Sequence, residues 1–346
     1  MTPQQSQRRG LWLGFLGVVI FAATLPMTKL AVGSADAPQL SPWFVTFGRA
    51  AVAGSLSLIY LTIEYWRGVR VIPTGTQWVL LLTTASAVVV GFPLFMSLAL
   101  QYVPSTHGAV VTGLLPLSTA LVAALWFKQK PSLGFWLCAL TGTALVLLYM
   151  GLRSADSSGH LSLHLADVFL LIAMTSAAVG YVSGARLTPS LGAERVICWV
   201  LVVSLPITLP LMWFNAPFAA SAAASALDMA AAGTTATPQG IRPSSWWGFA
   251  YVAVFSMWIG FFAWYRGLAL GGAVRVSQVQ LVQPFFSLVF AVPLLGETLD
   301  VMTIAFGLAV IAVVFVGKKM PVGVAKSDAA AHGRPSLGAT NIKSGK

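Results

Sequence analysis

The chain has 346 residues, 57% hydrophobic and 8% charged, with a net charge of +11. A soluble globular domain carries about 25% charged residues, so this composition excludes a soluble protein with an ordinary core. In a soluble protein +11 would point to nucleic acid; here the basic residues gather at the ends of apolar runs, so the bilayer is expected as partner and nucleic acid is not.

A helix needs about 20 apolar residues to cross hydrocarbon. Residues 1–10 are a short basic start. Apolar runs follow at 11–31, 42–63, 76–100, 107–127, 132–151, 165–186, 195–214, 246–270, 274–295 and 301–317. The first run holds Lys29 near its end. Arg8, Arg9 and the triplet Ala35-Asp36-Ala37 imitate a cleavable leader, but the run is long for one and Lys29 precedes the cleavage position. The second run carries Arg49 in WFVTFGRAAVAG. An arginine there reads as functional by default, with snorkelling to the surface as the other reading. The fourth run starts with His107 and contains Thr112 and Pro116.

The linker 152–164 holds His160 and His164 near Asp156 and Asp167, a spacing suited to a metal but without a further ligand nearby. No metal or other cofactor is expected. Residues 215–245 are rich in Ala, Ser, Thr and Pro and read as a loop. Residues 319–346 are small, polar and basic, and read as a disordered tail. Cys138 and Cys198 lie inside apolar runs and imply no disulfide framework.

The charges fix an orientation. Arg8, Arg9, Arg67, Arg70, Lys128, Lys130, Arg186, Arg195, Arg266, Arg275, Lys318 and Lys319 all fall on one side if the runs alternate. The basic tail joins them. Only Lys29, Arg153 and Arg242 fall on the other side. Basic residues collect in the cytoplasm, which places both termini inside and requires an even number of spans.

The two halves share a pattern. GFPLFMSLALQYVPSTHGAVVTGLLPLSTALVAALWFKQK matches GFFAWYRGLALGGAVRVSQVQLVQPFFSLVFAVPLLGETLD in its GF, its LAL and a proline in the next run. Pro116 and Pro284 are 168 residues apart, as are Gln129 and Glu297. Five runs per half is an odd number, so the second half is inverted. The expected fold is all-α integral membrane, with ten transmembrane helices as two inverted five-helix repeats, 11–151 and 165–318. Inverted repeats place a substrate site at their interface.

The ninth run is the polar one. On a helical wheel Ser277, Gln280, Pro284, Ser287 and Ala291 share an arc, with Gln283 beside it. Val282, Phe285, Val289 and Val292 take the opposite arc. Gln278 falls apart from the stripe. The fourth run repeats the stripe with Ala109, Thr112, Pro116, Thr119 and Ala123. Such a stripe serves as a packing seam or as the wall of a cavity, and the glutamines favour the cavity, because small residues suffice for a seam.

These features, and the ending QLVQPFFSLVFAVPLLGETLD, resemble the EamA-type members of the drug/metabolite transporter superfamily. Pro284, Gly296, Glu297 and Gly307 match the second-half pattern, and Lys29 and Arg49 fall where the family often has basic residues. Gln129 departs from it, standing where an acidic residue is usual. The resemblance implies a secondary carrier in a bacterial inner membrane, often an exporter of amino acids, small metabolites or toxic compounds.

The expected substrate-binding residues are Arg49, Thr112, Gln280 and Gln283. The expected hinge or cavity-lining residues are Pro116, Pro284, Ser277 and Ser287. The cavity is expected among the first four and the sixth to ninth runs, with a small-molecule substrate and no catalytic residue. No P-loop or hydrolase motif is present. A lipid or lipid-linked sugar translocase is the alternative, and a membrane-embedded enzyme a more distant one. Coupling to protons, with His107 as a candidate, and the oligomeric state stay open.

Overall fold

The computed structural model describes residues 3–126, 130–153, 165–217, 240–271, 279, 282–317 and 322–323. Within them it is helical, apart from two short strands, Lys130–Pro131 and Val322–Gly323, paired antiparallel. In hydrocarbon a helix satisfies its own backbone polar groups, which is why apolar runs of this length adopt it.

All ten apolar runs coincide with helix, and they are numbered segments 1 to 10 below. Six helices are long and apolar enough to cross a membrane by themselves: Gln4–Val32, Pro42–Trp66, Gln77–Tyr102, Leu165–Leu191, Ala193–Phe214 and Pro243–Gly267. Ser105–Thr112 and Leu117–Trp126, bent by 41°, make a seventh if they are one span. Segments 5, 9 and 10 hold Leu133–Arg153, Gln283–Leu295 and Val301–Gly317, with shorter described apolar stretches. The structure thus establishes six crossings by length and composition, fewer than the ten expected. For segment 9 the reason is that most of its first third lies outside the described residues.

Three segments are irregular. Segment 1 breaks at Ala23, between Pro3–Ala22 and Thr24–Val32. The carbonyls of Ile20 and Ala22 beside the break accept hydrogen bonds from Tyr251 (3.0 Å) and Ser287 (2.8 Å). A broken helix survives inside a membrane protein when neighbours supply such partners. Segment 3 has a π-helical turn at Ala85–Gly91, and segment 8 has one at Tyr251–Ile259. Each π turn runs into a Gly-Phe pair, Gly91-Phe92 and Gly260-Phe261, the same GF that marks the sequence repeat. The duplication therefore extends to a backbone irregularity of a kind that concentrates at functional sites.

The packing shows the same relation. Segment 1 packs on 8, 3 on 6, 2 on 7, 4 on 9 and 5 on 10. Exchanging every segment with the one five places away turns 1–8 into 6–3 and returns the other three pairs to themselves. The lesser contacts obey the same exchange, 4–6 with 9–1 and 2–8 with 7–3. Two halves related by a two-fold axis produce this pattern. Segments 1 and 8 meet backbone to backbone: a Cβ on Gly267 would lie 2.6 Å from the Gly14 nitrogen. Small residues permit that approach where lipid gives no hydrophobic drive between helices.

The bundle has two unlike ends. At one, loop residues 33–39, the link between segments 3 and 4, and the Gly296-Glu297 turn surround a vestibule of about 720 Å³. At the other, Arg195 pairs with Glu64 at 2.7 Å and Arg266 with Glu194 at 3.2 Å. They are called the vestibule end and the basic end.

Candidate functional site

Seven segments, 1, 2, 3, 4, 6, 8 and 9, converge on a closed interior cavity. Its free volume is about 30 Å³, room for about one water. Segments 5 and 10 stay outside, as expected. Segment 7 was expected to contribute and does not; it packs against the back of segment 2 and so supports the helix that carries Arg49.

Arg49 is the only charged residue among the cavity's lining. It lies seven residues into Pro42–Trp66, about 10 Å along at 1.5 Å per residue. At 3% exposure it does not snorkel. Its Nη2 donates to Ser256 Oγ at 3.1 Å and meets Met257 Sδ at 3.6 Å. Because Ser256 accepts from the guanidinium, its own proton is free for Thr24, 2.8 Å away. Thr24 in turn faces the Ile20 carbonyl at 3.5 Å. The cation is therefore held by hydroxyls and sulfur; among the described residues no carboxylate pairs with it. Its Nε has no hydrogen-bond partner.

Gln283 reaches the same cavity from segment 9. Its Oε1 is buried without a hydrogen bond. A buried unpaired carbonyl costs about 1–3 kcal/mol, so the site carries one unmet acceptor and one unmet donor. Thr112 lines the cavity from segment 4, with its hydroxyl on the Ala109 carbonyl at 3.1 Å. Tyr181, Phe21, Phe92 and Phe261 supply aromatic walls.

The structure thus brings together Arg49, Thr112 and Gln283, three of the four expected binding residues. Gln280 and Ser277 lie outside the described residues, as does the side chain of Pro116. Pro284 and Ser287 do not line the cavity. Pro284 sits in the first turn of Gln283–Leu295, where a missing N–H frees no intrahelical carbonyl; it faces an apolar space between segments 4, 9 and 10. Ser287 is occupied with the Ala22 carbonyl. The stripe itself is real: Pro284, Ser287 and Ala291 are buried, while Phe285, Val289 and Val292 are 49%, 45% and 42% exposed. Much of it is a seam, and the cavity takes only its Gln283 end. Lys29 faces the vestibule instead of snorkelling to headgroups.

Ser256, Thr24 and Tyr181 were not expected. A lone Ser, Thr or Tyr in an apolar helix is common, so composition marks none of them. The one sequence signal was the repeat: the GF pairs stand beside the π turns that deliver Val88 and Ser256.

A duplicated, polytopic helical bundle with a small polar cavity between its halves defines a membrane protein of the transporter class. The EamA-like transporter family profile matches residues 8–151 and again 164–317, and the chain belongs to that family. It is 38% identical over 309 residues to the uncharacterized transporter YdeK of Bacillus subtilis (strain 168), covering 89% of this chain and 96% of the relative. One crystal structure superposes with a TM-score of 0.53 over 90% of this chain and 96% of its own, at 19% identity. That likeness bears on the fold alone.

Proposed function

We propose that the protein is a secondary carrier that exports a small amphoteric solute, of the amino-acid type, across a bacterial inner membrane by alternating access. The observation that carries this reading is Arg49, a cation buried in the cavity without a carboxylate partner among the described residues. An arginine at a helix centre costs about 2.5–3.5 kcal/mol on insertion scales, and an anionic group on a bound solute offsets that cost. Gln283 Oε1 offers an acceptor to the same solute's ammonium or amide. Gln280 joins this set from the sequence stripe.

A cavity of about 30 Å³ does not hold such a solute. The bundle is therefore in an occluded, contracted state, and loading requires the halves to separate at one end. In this reading the basic end is cytoplasmic by the charge rule, both termini lie there, and all ten segments cross. The enclosed cavity favours a small solute over a lipid or lipid-linked sugar, which needs a lateral opening.

The test is a metabolite-efflux comparison between cells that overproduce the protein and cells that lack it, repeated with Arg49→Gln. The reading expects an amphoteric metabolite to accumulate outside, and the variant to reduce that efflux at least tenfold. Undiminished efflux by Arg49→Gln would sink it.

A further inference from the structure

A second polar cluster lies at the vestibule end and contributes nothing to the cavity. His107 Nε2 and Asp167 Oδ1 stand 2.8 Å apart, with side chains 3% and 1% exposed. They join segment 4 of the first half to segment 6 of the second. The His107 ring lies against Tyr149, 5.1 Å between centroids. The Tyr149 hydroxyl meets that of Thr303 at 3.3 Å, so segments 5 and 10 close over the pair.

The pair sits on a short lever. His107 and the cavity residue Thr112 belong to one helix, Ser105–Thr112, which ends at the bend before segment 4 resumes. At the start of that helix the Glu297 carboxylate accepts from the Ser105 N–H at 2.7 Å and the Thr106 N–H at 2.9 Å. Lys29 Nζ donates to the Leu100 and Val103 carbonyls at 2.5 and 3.2 Å. The link between segments 3 and 4 is thus gripped by a cation at its carbonyl end and an anion at its amide end, each matched to the helix dipole. Lys29, Val103 and Glu297 all line the vestibule.

We propose that His107 and Asp167 form a proton-binding site, and that the bound proton holds the vestibule end shut. With it, an imidazolium faces a carboxylate and their charges cancel in a dry setting. Without it, the ring still donates its Nε2 proton, but the pair carries one uncompensated negative charge. Ion pairs inside membrane proteins mark proton relays and ion pathways, and an unbalanced buried charge is strongly destabilising. Admitting water relieves it, and the vestibule is the nearest water. The charged and titratable groups on neighbouring elements are Lys29, Tyr102, Tyr149, Glu297 and Asp300. Lys29 and Glu297 are spent on backbone groups. Proton loss therefore pries Ser105–Thr112 from its clasp and moves Thr112 in the cavity. The inference deepens the carrier reading, because it supplies a coupling ion, and it rests on that reading for its purpose.

A pair that merely pins the two halves together would hold at any pH, and this separates the readings. The experiment uses the full chain in phospholipid vesicles, with Cys138→Ser and Cys198→Ser, and nitroxide labels on Gln101→Cys and Leu295→Cys, both lining the vestibule. Paramagnetic resonance measures the label separation at about pH 5 and about pH 8.5, on either side of the usual histidine range. The separation should lengthen at the higher pH by on the order of 5 Å, a helical turn, and shorten again on acidification. The double variant His107→Gln/Asp167→Asn keeps a hydrogen bond with nothing to ionise, and should show one separation throughout. An unchanging distance in the unaltered pair overturns the proposal without any variant. So does a pH response that survives in the double variant, because Glu297 or Lys29 would then be the titrating group. Neither measurement needs a substrate, so a failure of the Arg49 efflux test leaves this result standing.

Discussion

Arg49 and Ser256 lie 207 residues apart, one in each half of the duplicated chain, and meet at 3.1 Å across the cavity. The contact joins the second segment to the π turn of the eighth. It is the clearest place where the two halves build one site. The guanidinium keeps its Nε without a partner there, so its position favours a ligand over stability.

Arg49→Met should make that balance visible. Removing a buried cation that lacks a carboxylate should leave stability unchanged or raise it by up to about 3 kcal/mol, while abolishing transport. Thermal unfolding in detergent and efflux from cells, measured on the same variant, check the two halves of the statement. Arg49→Lys keeps the charge but loses the planar fork, and should recover only part of the activity.

Gln283→Leu removes an acceptor that is buried without a hydrogen bond. The fold should tolerate it. Loss of one hydrogen bond to a solute is worth about 1–1.5 kcal/mol, so the apparent affinity should fall about tenfold. Titrating the solute in vesicle uptake measures this, and an unchanged affinity would remove Gln283 from the site.

Glu297→Ala strips two amide donors at the head of Ser105–Thr112 of their partner. Charge-assisted bonds of this kind contribute about 1.5–3 kcal/mol each at most. Hydrogen exchange at the Ser105 and Thr106 amides should accelerate by at least tenfold, and Glu297→Gln, which keeps one acceptor, should lie between.

Gly267→Ala places a methyl group 2.6 Å from the Gly14 nitrogen. Backbone on both sides cannot yield cheaply, so segments 1 and 8 must part. Overpacking of this sort costs about 1–3 kcal/mol. A lowered unfolding temperature in detergent is the expected result, and an unchanged one would argue that the two helices are less closely packed.

The two ends should differ in access. A membrane-impermeant thiol reagent should label Ser34→Cys, in the vestibule, on intact spheroplasts. It should label Arg70→Cys only after the membrane is opened. The reverse pattern would invert the charge-rule orientation and with it the direction of export.

Several elements were legible in the sequence because hydrophobicity acts locally along the chain. Runs of apolar residues gave the segments, and the period of a helix put Phe285 and Val289 outward and Ser287 inward. A charged residue in such a run is conspicuous because lipid penalises it, which is how Arg49 and Lys29 stood out. Their destinations did not follow. Arg49 entered the cavity, and Lys29 turned to the carbonyls of segment 3, although both could be read as snorkelling.

The sequence by itself determined the solvent, the helical segments, the duplication and the few polar residues costly enough to need a reason. Each is a sum over neighbours in the chain. Only the tertiary structure decided which of those residues meet. Ser256 and Thr24 are ordinary in their own helices and become a cradle for Arg49 because segments 1, 2 and 8 converge. Asp167 read as the flank of a span and is the buried partner of His107. Convergence across hundreds of residues is set by how helices pack, and packing depends on every face at once.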